Sequence, residues 1–272
     1  DHRDLHSFPT RRSSDLLSDG SQFTGDDQVA LEKEIESIKD WNIPFVEPDE
    51  PMYQKNVMVV GDQIKKAYYD EFDGVSWVKK LSKPLTIAYS PLHGTGGPYM
   101  PDLLEKYGAK VIPVAEQIEP DGEFPTVAFP NPEEAEALDL CRQTALKHNA
   151  DRFVATDPDA DRMGAGIRNA DGDYTLINGN QTGSILCAFL CENYAKPGAQ
   201  VFKTIVTTEL QKRIAEAHGV AVRDVLTGFK YIAEQMRWLE NDQAGFDSSK
   251  HYYLFGGEES YGYLPVEFVR DK

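Results

Sequence analysis

The sequence predicts an α/β protein with two consecutive α/β domains, each a mixed sheet sandwiched by helices, plus the remnant of a preceding domain. From residue 85 onward, short apolar runs alternate with helical segments, which is typical of sheets covered by helices. A hairpin signal over residues 169–172 interrupts the alternation, and a second series starts near Asn178. Each polar motif follows a predicted strand, and strand ends are where such sheets bind ligands.

The chain is expected to divide into four parts. Residues 6–16 have no apolar periodicity and a basic centre, and they resemble the translation of a sequencing-adapter oligonucleotide. A natural basic tail is the alternative interpretation. The predicted parts are a non-native tail (1–16), a remnant of a first domain with a Pro- and acid-rich linker (17–50), a second domain (51–176), and a third domain truncated at its end (177–272).

Apolar spacing and turn residues predict the elements of the first series. Asn131 and Pro132 suit the N-cap and first position of a helix, and acidic residues follow in its first turn. Residues 169–172 are typical of a hairpin turn. The predicted order is a helix (28–41), a strand (85–89), a helix (99–107), a strand (110–114), a helix (131–148), a strand (152–156) and the hairpin.

The same signals predict the second series. Cys187 and Cys191 are four residues apart in an apolar run, so we expect them on one buried helix face. The predicted order is a helix (181–194), a strand (201–206), a helix (208–218), a strand (222–226), a helix (231–241) and a strand (252–255).

Composition excludes several classes of partner. The net charge is −17, so we expect neither nucleic-acid binding nor binding to an anionic membrane surface. No apolar run approaches the roughly 18 residues of a membrane span. Three cysteines without a C-x-x-C motif fit a reducing compartment, and the expected location is the cytoplasm. The acidity is compatible with a local pocket for a phosphorylated small molecule.

Three aspartates lie at alternate positions directly after the predicted strand 152–156: Asp157, Asp159 and Asp161. Carboxylates with this spacing in a tight loop converge on one hard cation, and such oxygen ligands suit Mg²⁺. A calcium EF-hand begins with the same spacing, but its glycine and its final glutamate are missing here. Arg162 follows directly and can pair with a phosphate that the metal also contacts. A solvated acidic turn is the alternative.

Two loops have less specific signals. Residues 90–97 are rich in glycine, so they either let backbone N–H groups approach an anion or form a plain tight turn. His93 in this loop is expected to pack or cap. Residues 227–230 place Lys230 at the start of a helix, which suits phosphate binding or proton transfer, with a surface lysine as the alternative.

Residues 256–262 form a second acidic loop between glycines. Glu258 and Ser260 supply a carboxylate and a hydroxyl, and these groups can hydrogen-bond adjacent sugar hydroxyls. A surface turn is the alternative interpretation of this loop.

Together these loops resemble the α-D-phosphohexomutase superfamily. The Asp-Pro-Asp-Ala-Asp-Arg run at 157–162 is similar to the family's magnesium loop, and Gly-Glu-Glu-Ser at 257–260 to its sugar-binding loop. Residues 90–94 and 227–230 match further segments. The Glu-Glu-Ser-Tyr-Gly form and the Gly-Asn-Gln at 179–181 resemble the phosphoglucomutase and phosphopentomutase branch more than the phosphomannomutase branch. The ordered pair of acidic loops makes the resemblance specific.

The resemblance implies an enzyme that moves a phosphoryl group between two hydroxyls of one sugar, through a phosphoserine and a bisphosphate intermediate. It implies that Asp157, Asp159 and Asp161 bind Mg²⁺, that Arg162 contacts phosphate, and that Lys230 acts in acid/base catalysis or phosphate binding. Glucose 1-phosphate and glucose 6-phosphate are the expected substrates, with a sugar bisphosphate as activator. The implied sugar-binding residues are Thr227, Gly228, Glu258 and Ser260.

The sequence departs from the family in two places. The family's serine loop, of the type Thr-Ala-Ser-His-Asn-Pro, and its fourth domain are both absent. We therefore expect this chain to bind metal weakly and not to turn over alone. Two alternatives stay open: a non-catalytic module that binds a sugar phosphate or a metal, and a sugar-bisphosphate synthase. The sequence does not distinguish hexose from pentose phosphates.

Overall fold

The computed structural model describes residues 16–39 and 46–271. Within them, a helical N-terminal segment precedes two α/β units, each built on one sheet. The first sheet contains β1 (Leu85–Ser90), β2 (Ala109–Pro113), β3 (Arg152–Thr156), β4 (Met163–Arg168) and β5 (Tyr174–Ile177). The second contains β6 (Ala199–Thr204), β7 (Ala221–Val225), β8 (Tyr252–Gly257) and β9 (Tyr263–Leu264).

The helices lie before and between these strands. In the N-terminal segment they are α1 (Gly25–Ser37), α2 (Pro51–Asn56) and α3 (Gly61–Asp73). In the first unit they are α4 (Met100–Lys106) and α5 (Asp139–Lys147). In the second they are α6 (Gly179–Tyr194), α7 (Glu209–Ala217) and α8 (Phe229–Glu240).

The two sheets repeat one topology. In the first, β1 pairs in parallel with β2 and β3, and β3 pairs antiparallel with β4. In the second, β6 pairs in parallel with β7 and β8, and β8 pairs antiparallel with β9. Thus β3 and β8 are equivalent strands, and each leads through a short loop into an antiparallel neighbour. These mixed sheets with their helices confirm the predicted fold class.

Side-chain caps explain why two helices of the second unit begin where they do. Asn178 accepts the N–H of Gln181, and the Gln181 side chain accepts the N–H of Asn178, which forms a capping box at the start of α6. Thr208 caps α7 by accepting the N–H of Leu210. Cys187 and Cys191 both lie on the buried side of α6, as predicted.

The helix predicted over 131–148 begins only at Asp139, so that part of the prediction was wrong. Asn131 does cap, because its side chain accepts the N–H of Glu133 at 3.0 Å. The backbone that follows forms separate turns with hydrogen bonds three residues apart, such as Ala137 N–H to the carbonyl of Glu134 at 3.1 Å. The cap signal therefore started a turn instead of a helix.

Smaller differences concern element ends. The helix predicted over 28–41 spans Gly25–Ser37, and the end of the predicted range falls in residues 40–45, outside the described residues. The strand predicted over 201–206 ends at Thr204, since Ile205 and Val206 lie in the turn that follows and are 57% and 54% exposed. Within the described ranges, the helices are too short or too polar to cross a bilayer.

Candidate functional site

The three aspartates of the acidic loop, residues 157–162, converge. One carboxylate oxygen from each of Asp157, Asp159 and Asp161 lies within 4.8 Å of the others. Asp157 and Asp161 are buried, whereas Asp159 is exposed. A hydrogen bond from the Asp157 N–H to the Arg162 carbonyl, at 3.3 Å, closes the loop between β3 and β4. The loop therefore points its carboxylates at a common point beside the sheet.

Burial and mutual repulsion make this carboxylate cluster costly without a cation. Burial, followed by the neighbouring Asp161 and Asp159, raises the pKa of Asp157 to about 7. Arg162 compensates in part, because its N–H and its Nε donate to the two Asp157 oxygens at 2.9 and 2.7 Å. Its Nη1 lies 3.6 Å from Glu133. These contacts direct Arg162 mainly at the acidic loop itself.

The donor set fits a hard divalent cation. Three carboxylates with oxygens this close give the charge and the oxygen chemistry that Mg²⁺ prefers. A bound cation would also offset the burial that raises the pKa of Asp157. Two of the three carboxylates are buried, which favours a cation site over a solvated acidic turn.

The glycine-rich loop at 90–97 supports the acidic loop. A Cβ at Gly94 would lie 2.2 Å from the Pro158 Cα, so only glycine allows this approach. Thr95 N–H donates to the Pro158 carbonyl at 2.7 Å, and His93 N–H donates to the Gln117 carbonyl at 3.1 Å. Because these N–H groups are already bonded within the protein, the structure favours the tight turn over an anion cradle. His93 is buried and its Nε2 pairs with Thr126 at 2.8 Å, which fits the expected packing role.

The second acidic loop, residues 256–262, is held by its own carboxylates. Glu258 is buried and accepts the N–H of Gly228 at 2.6 Å and the hydroxyl of Ser260 at 3.2 Å. Gly228 precedes α8, so this carboxylate joins two of the predicted sugar-binding segments. The structure therefore brings Glu258, Ser260 and Gly228 together. The adjacent Thr227 is exposed.

A buried lysine that sequence analysis missed supports this loop. Lys203 is fully buried at the end of β6, and its Nζ lies 2.8 Å from Asp224 and 3.0 Å from Glu209. The turn after Lys203 presents two threonine hydroxyls, and both donate to one Glu259 oxygen at 3.1 Å. The sequence signal was a lysine inside a predicted strand, one residue before Thr204 and four before Thr207.

The Lys230 ammonium makes its hydrogen bond outside the second acidic loop. Its Nζ donates to the Gln28 side chain of α1 at 2.8 Å and lies 5.1 Å from the centre of the Tyr231 ring. It occupies the first turn of α8, next to Gly228. In this structure the Lys230 ammonium thus contacts the N-terminal helix.

The two acidic loops touch each other. Met163, the first residue of β4, donates its N–H to the Tyr261 carbonyl at 3.0 Å. A Cβ at Gly179 would lie 1.8 Å from the Glu259 carbonyl, so α6 begins directly beneath the second loop. The loop that carries the three aspartates therefore adjoins the loop that carries Glu258 and Ser260.

Two α/β units meet at a carboxylate cluster and a glycine-flanked Glu-Ser loop, and comparison with known proteins identifies the family. Residues 66–171 match the family profile "Phosphoglucomutase/phosphomannomutase, alpha/beta/alpha domain II". Residues 178–272 match the profile for "alpha/beta/alpha domain III" of the same family. The chain belongs to the phosphoglucomutase/phosphomannomutase family, and this confirms the resemblance found in its loops.

Individual relatives agree with this assignment. A phosphoglucomutase of Staphylococcus epidermidis is 35% identical over 259 residues, which cover 93% of this chain and 45% of the relative. A Staphylococcus aureus phosphoglucomutase is 33% identical, with 94% and 45% coverage. A crystal structure of a Burkholderia thailandensis family protein has the same fold, with a TM-score of 0.61 and 20% identity over 76% of this chain and 40% of that one. The chain thus spans less than half the length of these curated relatives.

Proposed function

We propose that this chain contributes the metal-binding and sugar-binding loops of a phosphosugar mutase. The reaction is an intramolecular phosphoryl transfer between the 1-hydroxyl and the 6- or 5-hydroxyl of a sugar, with glucose 1-phosphate and glucose 6-phosphate as the first choice. One observation supports the proposal: the Met163–Tyr261 hydrogen bond joins the loop of three converging carboxylates to the Glu-Ser loop. Phosphoryl transfer needs charge neutralisation next to a fixed sugar, and these loops supply both.

Mg²⁺ is the proposed cofactor. Asp157, Asp159 and Asp161 hold it, and when bound it supplies the positive charge that phosphoryl oxygens need during transfer. A magnesium ion keeps open positions for water or phosphate, so three protein ligands leave room for a substrate or phosphoserine oxygen. The S. epidermidis relative is named a phosphoglucomutase, which favours glucose phosphates over other sugars.

The second loop orients the sugar. The Glu258 carboxylate accepts the N–H of Gly228 and the hydroxyl of Ser260. We assign sugar hydroxyls to the Glu258 carboxylate and the Ser260 hydroxyl, because carboxylates and hydroxyls both hydrogen-bond such groups. Thr227 and Gly228 lie at the start of α8 and complete this side of the site.

Arg162 and Lys230 take the roles of cation and proton carrier. Arg162 is anchored by Asp157 through Nε, and this anchor holds the guanidinium beside the carboxylate cluster for phosphate contact. Lys230 reaches substrate only by exchanging its Gln28 contact for phosphate or a sugar hydroxyl. An exchange for phosphate replaces a neutral partner by an anionic one, which favours that exchange electrostatically.

The phosphoserine that starts the reaction belongs, in this proposal, to another part of a longer polypeptide. The family's serine loop is not among these 272 residues, so the chain alone is expected to bind but not to turn over. A sugar bisphosphate is the proposed activator, because it can phosphorylate that serine.

The test pairs binding with turnover. The chain is titrated with glucose 1-phosphate and ribose 1-phosphate, with and without Mg²⁺, and the full-length gene product is assayed with both sugars and glucose 1,6-bisphosphate. We expect Mg²⁺-dependent turnover of glucose 1-phosphate by the full-length product, lost on Asp159→Asn. Binding without turnover of either sugar by the full-length product would favour the non-catalytic module instead.

A further inference from the structure

Tyr261 has an unusual backbone conformation in the second acidic loop. Its φ of +67° lies in the left-handed region, which residues other than Gly, Asn and Asp rarely adopt. A bulky residue in this region signals that the surroundings impose the conformation.

Contacts on both sides of the residue show what imposes it. The Tyr261 carbonyl accepts the N–H of Met163 at 3.0 Å. The Tyr261 ring lies against the start of α6, where its Cδ2 would be 3.0 Å from a Cβ added to Gly179. The ring thus rests on the second unit while the carbonyl reaches the first.

The other polar anchors of this loop belong to its own unit. Glu258 bonds Gly228, and Glu259 bonds the hydroxyls of Thr204 and Thr207. The Tyr261 carbonyl connects this anchored loop to the residue that directly follows the acidic loop. A restraint on the mobility of one loop can therefore restrain the other through the Met163–Tyr261 hydrogen bond, because the Tyr261 ring is packed against Gly179.

We propose that Tyr261 is a positioning residue that couples the two loops, so that a divalent cation at Asp157, Asp159 and Asp161 also orders residues 257–262. The inference rests on the proposed metal site. A bound cation offsets the repulsion among the three aspartates and so reduces the mobility of the loop that ends at Met163. The Met163–Tyr261 bond then opens less often, and the ring of Tyr261 transmits that restraint to the loop closed by the Glu258 N–H and the Gly262 carbonyl.

Amide hydrogen exchange on the chain tests this coupling, with Mg²⁺ alone as the probe. In the wild type we expect Mg²⁺ to slow exchange at Met163 and at Glu258 by about fivefold or more. Tyr261→Phe keeps the ring and should retain both effects. Tyr261→Gly tolerates the same backbone angle but removes the ring, so it should retain protection in the acidic loop and lose it at Glu258.

Two results would overturn the coupling while leaving the metal site intact: protection of residues 157–163 without protection at Glu258 in the wild type, or unchanged Glu258 protection in Tyr261→Gly. Absence of protection at both places, together with no heat of Mg²⁺ binding, would overturn the metal site and the coupling together. Loss of the Glu258 effect in Tyr261→Phe as well would assign the coupling to the phenol and contradict the role of the ring.

Discussion

The two acidic loops occupy the same place in repeated sheets, yet they use their carboxylates in opposite ways. One loop connects β3 to β4 and the other connects β8 to β9, and each is closed by a backbone hydrogen bond across its base. In the first loop, Asp157 bonds Arg162 of the same loop, and three carboxylates remain close enough for one cation. In the second, Glu258 bonds Gly228 from a different segment. One topological position thus yields a candidate ion site in the first unit and a hydrogen bond between two segments, here called the brace, in the second.

The largest effect is expected from Asp157→Ala. The buried Asp157 carboxylate pairs with Arg162 through two hydrogen bonds, so its removal leaves a partly buried guanidinium without that partner. Because burial raises the pKa of Asp157, removing the ionised carboxylate also relieves part of that cost, so we expect the free energy of unfolding in chelator to fall by at most about 3 kcal/mol. Urea denaturation at pH 8 measures it.

Asp159→Ala is the matched control for that variant. Asp159 is exposed, so its removal should change the free energy of unfolding by less than about 1 kcal/mol. Both variants should lose Mg²⁺ affinity in calorimetric titration. Equal losses of stability in the two variants would contradict the additional structural role of Asp157.

Glu258→Ala tests the brace and should have the next largest effect. It leaves the Gly228 N–H without its acceptor, which should cost about 2 kcal/mol of unfolding free energy. Glu258→Gln keeps an acceptor oxygen and should cost under about 1 kcal/mol. If Glu258→Ala and Glu258→Gln destabilise the chain equally, the carboxylate acts through its charge, and the inferred role of its hydrogen bond to Gly228 is wrong.

This difference explains what sequence analysis found and what it missed. Asp157, Asp159 and Asp161 lie within five consecutive residues, so their spacing alone predicts convergence on a cation. The bond from Gly228 to Glu258 joins residues 30 apart, and no local pattern reveals it. Sequence reasoning proposed both groups for sugar binding through resemblance, but it could not foresee that they bond each other.

Sequence analysis misplaced the start of α5 and missed the buried Lys203 for one reason: both depend on contacts between distant segments. Asn131 carries a strong local cap signal, but the chain turns several times before α5 begins. Lys203 looks like a surface residue on any hydropathy scale, yet Asp224 and Glu209 pair with it where β6 meets its neighbours. The fold class follows from the alternation of elements along the chain, whereas these contacts depend on which distant segments the fold brings together.

The pH dependence of metal affinity should sharpen the comparison further. Because the pKa of Asp157 is raised to about 7, its carboxyl binds a proton below that pH in the metal-free protein. A metal needs the deprotonated form, so apparent Mg²⁺ affinity should fall by about tenfold per pH unit below 7 and level off above it. Titrations from pH 5.5 to 8.5 measure this, and an affinity independent of pH would show that Asp157 is not a ligand.

The smallest effect on stability is expected from Ser260→Ala. The Ser260 hydroxyl donates to Glu258 at 3.2 Å, and Glu258 keeps its bond from Gly228, so the loss should be about 0.5–1 kcal/mol. Ser249→Ala is a matched control, because Ser249 also donates to a carboxylate two residues earlier, Asp247, on the exposed surface. Both variants should lose similar stability.

If Ser260 holds a sugar hydroxyl, only Ser260→Ala should also weaken Mg²⁺-dependent glucose 1-phosphate binding, by roughly tenfold. Equal sugar-phosphate affinity in the two variants would leave Ser260 as part of the brace alone.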